Sequence, residues 1–186
     1  MLRGLAIALG ALGLLAGTAP VSFAEAHTGA VSVTITGLPR HPSLTLGGSA
    51  ATLVVTVHNG TGQVQRHIAP VVAIDHCSCS HTPVEMGPAG TLREFTAGKW
   101  RTVTYDLEGL GMDYLSVIQQ APVTLAPGAS DHFMFRLAFA SEAKQPIKLT
   151  AGRTGILVQV VREPINWNAL YHGILASDDV QVAVRP

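Results

Sequence analysis

The chain has 186 residues, with 12 Lys and Arg set against 12 Asp and Glu. Only 13% of the residues are charged, against a usual share of about 25%, and the missing basic excess argues against a nucleic-acid partner. With 47% hydrophobic residues, a chain of this length can bury one core, which argues against disorder and for a single domain.

The N-terminal stretch has the three parts of a secretory signal peptide. Arg3 makes a short positive region. Residues 5–16 are an unbroken run of Leu, Ala, Ile and Gly, and Pro20 breaks it. Ala24-Glu25-Ala26 offers a small-residue cleavage motif before His27, with cleavage after Ala24 as the rival. Twelve apolar residues are too few to cross about 30 Å of hydrocarbon as a helix, which takes roughly 20. The expectation is a leader over 1–26 and one exported domain over 27–186, secreted and without stable membrane insertion after cleavage. No cysteine stands between the apolar run and the cleavage motif, so lipid anchoring is not expected.

Beyond the leader, the chain reads as short strands between Gly/Pro turns. Residues 31–36 alternate apolar and hydroxyl side chains, and Gly37 and Pro39 close them. Residues 44–46 are a short extended piece, and 53–58 are rich in β-branched residues. The sequence Asn59-Gly60-Thr61-Gly62 reads as a turn. The apolar run 71–74 leads into Cys77-Ser78-Cys79. Pairing is expected to begin after Pro70 or to leave it on an edge, because proline cannot donate to a ladder. Residues 92–95 and 100–105 flank Ala97-Gly98 as a hairpin, and 106–111 read as a polar loop. Residues 114–118 fit a short strand or a helical turn. Residues 123–125 lead into 133–139, where Phe133, Phe135, Leu137 and Phe139 make the heaviest apolar face in the chain. Gly152-Arg153-Thr154-Gly155 reads as a turn before a strand over 156–161. One helical turn fits 164–172, with Trp167 and Tyr171 four apart. Val180, Val182 and Val184 alternate in the last strand.

Seven to nine such strands, almost without helical periodicity, predict an all-β chain folded as an antiparallel β-sandwich. Two units share one plan of short strand, Gly/Ser turn and long strand: 44–55 and 123–135. They are expected to be equivalent corners of one sandwich. These phrases, LTLGGSAATLVVTVHNGTG and VTLAPGASDHFMFRLAF, resemble bacterial secreted immunoglobulin-like domains, the conserved-repeat and CARDB-like modules. The resemblance implies an immunoglobulin-like sandwich that serves as a spacer or binding module, not an enzyme. The whole chain also resembles exported actinobacterial proteins of unassigned role.

Chemistry-bearing residues concentrate at residues 75–86. Cys77 and Cys79 are the only cysteines, and in an exported chain they are expected to form a disulfide. So small a ring removes little unfolded-state entropy and stiffens the loop instead. The alternative is a soft metal site. Cys77, His81 and Met86, with Cys79 beside them, nearly match the copper loop of cupredoxins, which combines two His, one Cys and a weak axial Met. His41, His58, His67 and His76 are the candidate second imidazoles. Against copper, the cupredoxin loop joins the last two strands, whereas at least four strand-like runs follow this one.

Other signals are weak. No G-x-S-x-G, H-E-x-x-H, P-loop or G-x-G-x-x-G pattern occurs. Asp75-His76 and Asp131-His132 are sequence neighbours, which point to opposite faces of a strand. Asp106, Glu108 and Asp113 share one loop, but their spacing matches no EF-hand. Asn59-Gly60-Thr61 is a glycosylation sequon. Taken together, the residues lead us to expect a secreted, non-catalytic structural or interaction module that needs no cofactor, with a protein or cell-wall partner; the alternative is an exported copper-binding protein.

Overall fold

The computed structural model describes residues 28–80, 87–103, 106–108, 111–113, 122–162 and 173–186. The expected leader and the segments 114–118 and 164–172 lie outside the described residues. Ten strands form two sheets. The first runs β1 (Thr28–Thr36), β3 (Ala51–Thr61), β10 (Ser130–Phe139), β5 (Gly90–Thr96), β6 (Lys99–Val103). The second runs β2 (Ser43–Thr45), β12 (Ile174–Arg185), β11 (Gly152–Arg162), β4 (Gln65–Cys77), β9 (Val123–Leu125). A separate two-stranded ribbon joins β7 (Asp106–Glu108) to β8 (Gly111–Asp113). The fold is an all-β two-sheet sandwich.

Period-two alternation aims one side of each strand into the space between the sheets. Leu53, Val55 and Val57 of β3 are buried there, with Phe133, Phe135, Leu137 and Phe139 of β10 beside them. Ile156, Val158 and Val160 of β11 and Ile68, Val72 and Ile74 of β4 face them from the second sheet. Each fully buried side chain of this size contributes about 1.5–3 kcal/mol. The two strand–turn–strand units take equivalent places: β2 and β9 are the two edges of the second sheet, and each leads into one of the adjacent strands β3 and β10 of the first. In the hairpin, Ala97 (φ 49°) and Gly98 (φ 75°) both adopt the left-handed region. A tight two-residue hairpin requires that conformation.

Several expectations are corrected. β3 does not stop at Asn59-Gly60 but pairs with β1 as far as Thr28↔Thr61. A Cβ on Gly60 would lie 2.8 Å from the Ala30 carbonyl oxygen, so glycine serves there for close strand approach. Residues 152–155 belong to β11: all four pair with β12, and Thr154 also pairs with Cys77 of β4. The expected polar loop 106–111 contributes to the β7–β8 ribbon. The sandwich is not wholly antiparallel, since β2 joins β12 in parallel. Pairing on β4 starts before Pro70, and β9 meets β4 only at Gln65 and Ile68. Pro70 therefore lies beyond β9, opposite Val160 of β11.

β4 departs from simple alternation. Its residues 68–74 are all buried, on both faces. An apolar run without polar alternation is the signature of a strand covered on both sides, and β8 lies against β4.

Candidate functional site

The cysteine tip is built where β4 ends and β11 begins. Thr154 pairs with Cys77 and Ile156 with Ile74, so β4 carries one extra residue there, a β-bulge. The Thr154 hydroxyl, buried under the bulge, donates to the Asp75 carbonyl at 2.7 Å. Ser78 then grips both backbone groups of Arg153. The Ser78 N–H donates to the Arg153 carbonyl at 2.9 Å, and the Arg153 N–H donates to Ser78 Oγ at 2.9 Å. The Cys79 carbonyl accepts the Thr150 N–H at 2.9 Å and the Thr150 hydroxyl at 3.2 Å.

The two sulfurs sit at disulfide distance, with Cα atoms 5.0 Å apart, inside the roughly 4.4–6.8 Å that a disulfide spans. Both cysteines are 0% exposed. Gly152 makes room for them: a Cβ there would lie 2.5 Å from the Cys79 nitrogen and 2.6 Å from its Cα. Of the sequence-derived copper set, Cys77 and Cys79 are brought together here, while His81 and Met86 lie outside the described residues. Among the described residues, no group of three or more His, Cys, Asp or Glu could hold a metal ion.

The other candidates are dispersed. His58 Nδ1 meets the Ser130 hydroxyl and His132 Nδ1 meets the Thr56 hydroxyl, each at 2.9 Å, across neighbouring strands of the first sheet. His67 sits at φ 54°, where β4 slips register against β9. The side chains of His76, Asp106, Glu108 and Asp113 are outside the description. The Asn59 sequon is consumed by the fold. Its buried carboxamide donates to the Gln63, Leu125 and Ala126 carbonyls at 2.9–3.0 Å and accepts from the Thr61 N–H and hydroxyl. That node ties the end of β3 to the turn entering β10.

Two further polar side chains sit at the margins of the sandwich. Asp178 of β12 accepts the Ile35 N–H at 2.8 Å, so a carboxylate covers part of the edge of β1. Glu94 of β5 is buried opposite Arg101 of β6 and Phe135 of β10. Its Oε2 has no hydrogen-bond partner. Burial pushes its carboxyl above the usual range, and the Arg101 charge offsets part of that.

The feature that sequence reading missed is a pocket of about 410 Å³ at the β2–β12–β11 side of the second sheet. Arg40 and His41 reach it from the β1–β2 connection, Arg153 from β11 and Arg185 from β12, with Asp179 as the opposing charge. Ser43, Ala183 and Arg153 stand in one row across the three strands, and the small Ala183 leaves the middle open. Pro42 pins the connection to the sheet, its carbonyl accepting the Ala183 N–H at 2.9 Å. His41 was singled out in the sequence only as a spare imidazole. The arginines gave no local signal, because three separate stretches of chain, 40–43, 153 and 179–185, supply the lining.

No protein-family model and no curated protein matches the chain. Solved structures do match it. The chain is 12% identical to AvmM, which catalyses macrocyclisation in alchivemycin A biosynthesis, with a TM-score of 0.54, covering 84% of this chain and 89% of that one. An ASH/PapD-like domain of human CEP192 aligns at 8% identity and a TM-score of 0.28 over 97% and 96% of the two chains. Escherichia coli alpha-2-macroglobulin aligns at 16% identity and a TM-score of 0.41, over 84% of this chain but 9% of that much longer one. At such identities the likeness to AvmM speaks for the fold alone.

Proposed function

We propose that this chain is an exported, non-catalytic interaction module built as an immunoglobulin-like sandwich, secreted after loss of its leader. One observation supports this reading most. The cysteine tip, the densest chemistry in the sequence, is turned inward and locked, while charged side chains gather in a pocket rim on the outside of one sheet. In this reading the Cys77–Cys79 disulfide is a structural clamp. It holds the start of β11, and so Arg153, in place. The partner is a protein or a cell-wall component that docks against the second sheet.

The test is fractionation of the source cells with an antibody to the chain, followed by co-sedimentation of the purified protein with isolated cell envelopes. The expected result is a chain lacking its first 24 or 26 residues in the exported fraction, pelleting with envelopes. Recovery of the uncleaved chain in the cytoplasm would overturn the reading.

A further inference from the structure

The geometry points to the Arg40–Arg153–Arg185 pocket as a binding site for a small organic ligand carrying a phosphate or sulfate group. This rests on the module reading above and names its ligand chemistry.

The chain as a whole is neutral, with 12 cationic and 12 anionic side chains. Its pocket is not: three arginines and one histidine line it beside a single acidic residue, Asp179. Gathering three like charges against one counter-charge is unfavourable, so the cluster favours a bound anion. The arginines are available to bind one. Arg162 spends its guanidinium on the Arg66 carbonyl and Gln65, and Arg136 lies over the Trp100 ring. Among the described residues, the guanidiniums of Arg40, Arg153 and Arg185 make no such contact.

Guanidinium forks match tetrahedral oxyanions, which accept several charge-assisted hydrogen bonds at once. A volume of about 410 Å³ is within the range of small-molecule sites, about 300–1,000 Å³. It exceeds what a bare ion fills and leaves room for a body of sugar size. Both walls are set before binding. Pro42 ties the Arg40–His41 connection to β12, and Ser78 holds both backbone groups of Arg153. A site fixed in advance loses less to ordering when it binds.

The test is titration calorimetry of the full chain at low ionic strength with glucose 6-phosphate, glucose 6-sulfate and glucose. One ester or both should bind one to one, and glucose should not. Arg153→Gln and Arg185→Gln should each weaken the ester about tenfold or more. Asp179→Asn should tighten it severalfold, a gain that misfolding cannot mimic. Competition by dextran sulfate would assign the group to a polymer, and failure to compete would assign it to a free small molecule; either supports the site. No saturable ester binding, or an affinity indifferent to all three substitutions, would overturn it. If envelopes still retain the chain in that case, the ligand falls and the module stands. If the ester binds and envelopes do not retain the chain, the module falls and the pocket stands.

Discussion

The cysteine tip and the arginine pocket are joined through one residue and behave in opposite ways. The tip is contiguous in sequence and internal in space. Its sulfurs sit at disulfide distance and are buried, and its backbone groups are answered by Thr150, Arg153 and Thr154. The pocket is scattered in sequence and open in space, and its arginines are not spent on one another. Density of reactive residue types along a chain therefore says little about which of them stay accessible. At Arg153 the backbone belongs to the tip and the side chain to the pocket, so the reactive-looking region serves the plain-looking one.

The largest loss is expected at Gly152. Gly152→Ala drives a Cβ into the Cys79 backbone, and neither strand can yield cheaply. A loss of about 3 kcal/mol or more is expected, read by urea unfolding. Gly87→Ala, whose Cβ would stand 3.0 Å from the Asp75 carbonyl, should cost less. Asn59→Ala tests the other inward-turned motif. It strands the Leu125 carbonyl and its neighbours without the carboxamide, and about 2–3 kcal/mol should be lost. Occupancy by a glycan at Asn59 in the folded chain would contradict that assignment.

Replacing both cysteines by alanine should cost less than about 2 kcal/mol, because the ring is tiny. The effect should be local: faster amide exchange at Ser78, Thr150 and Arg153, with the core strands β3 and β10 unchanged. Glu94 gives a milder, pH-dependent effect. Its folded-state value lies above the ordinary 4.5 because the carboxyl is buried. The folded state therefore holds the proton more tightly than the unfolded chain. Stability is greatest below the ordinary value and falls as pH rises from there through the raised one. Glu94→Gln should flatten this slope and raise the melting temperature at neutral pH. Smallest of all, Asp179→Asn, on the exposed rim, should leave stability within about 0.5 kcal/mol of the parent.

The layered all-β architecture was legible because alternation is a local signal, and Phe133, Phe135, Leu137 and Phe139 display it plainly. The misread turns share a cause. Gly60 and Gly152 look like turn residues, but each is small because another strand or the cysteine tip approaches it closely. That neighbour is remote in sequence: Ala30 for Gly60 and Cys79 for Gly152. The parallel β2–β12 pairing was likewise invisible, since nothing within residues 43–45 encodes a partner at 183–185. The pocket depends on that pairing. Until β2 docks, Arg40 and His41 have no reason to meet Arg153 and Arg185.

The claim on which both halves of the comparison rest is that the tip is closed. Denaturing the purified chain without reductant, in excess alkylating agent, and weighing it intact tests this directly. A closed tip gives no alkylation and a mass lower by two hydrogen atoms than the sequence requires, both reversed by reductant. Two alkylated cysteines in the unreduced chain would contradict it.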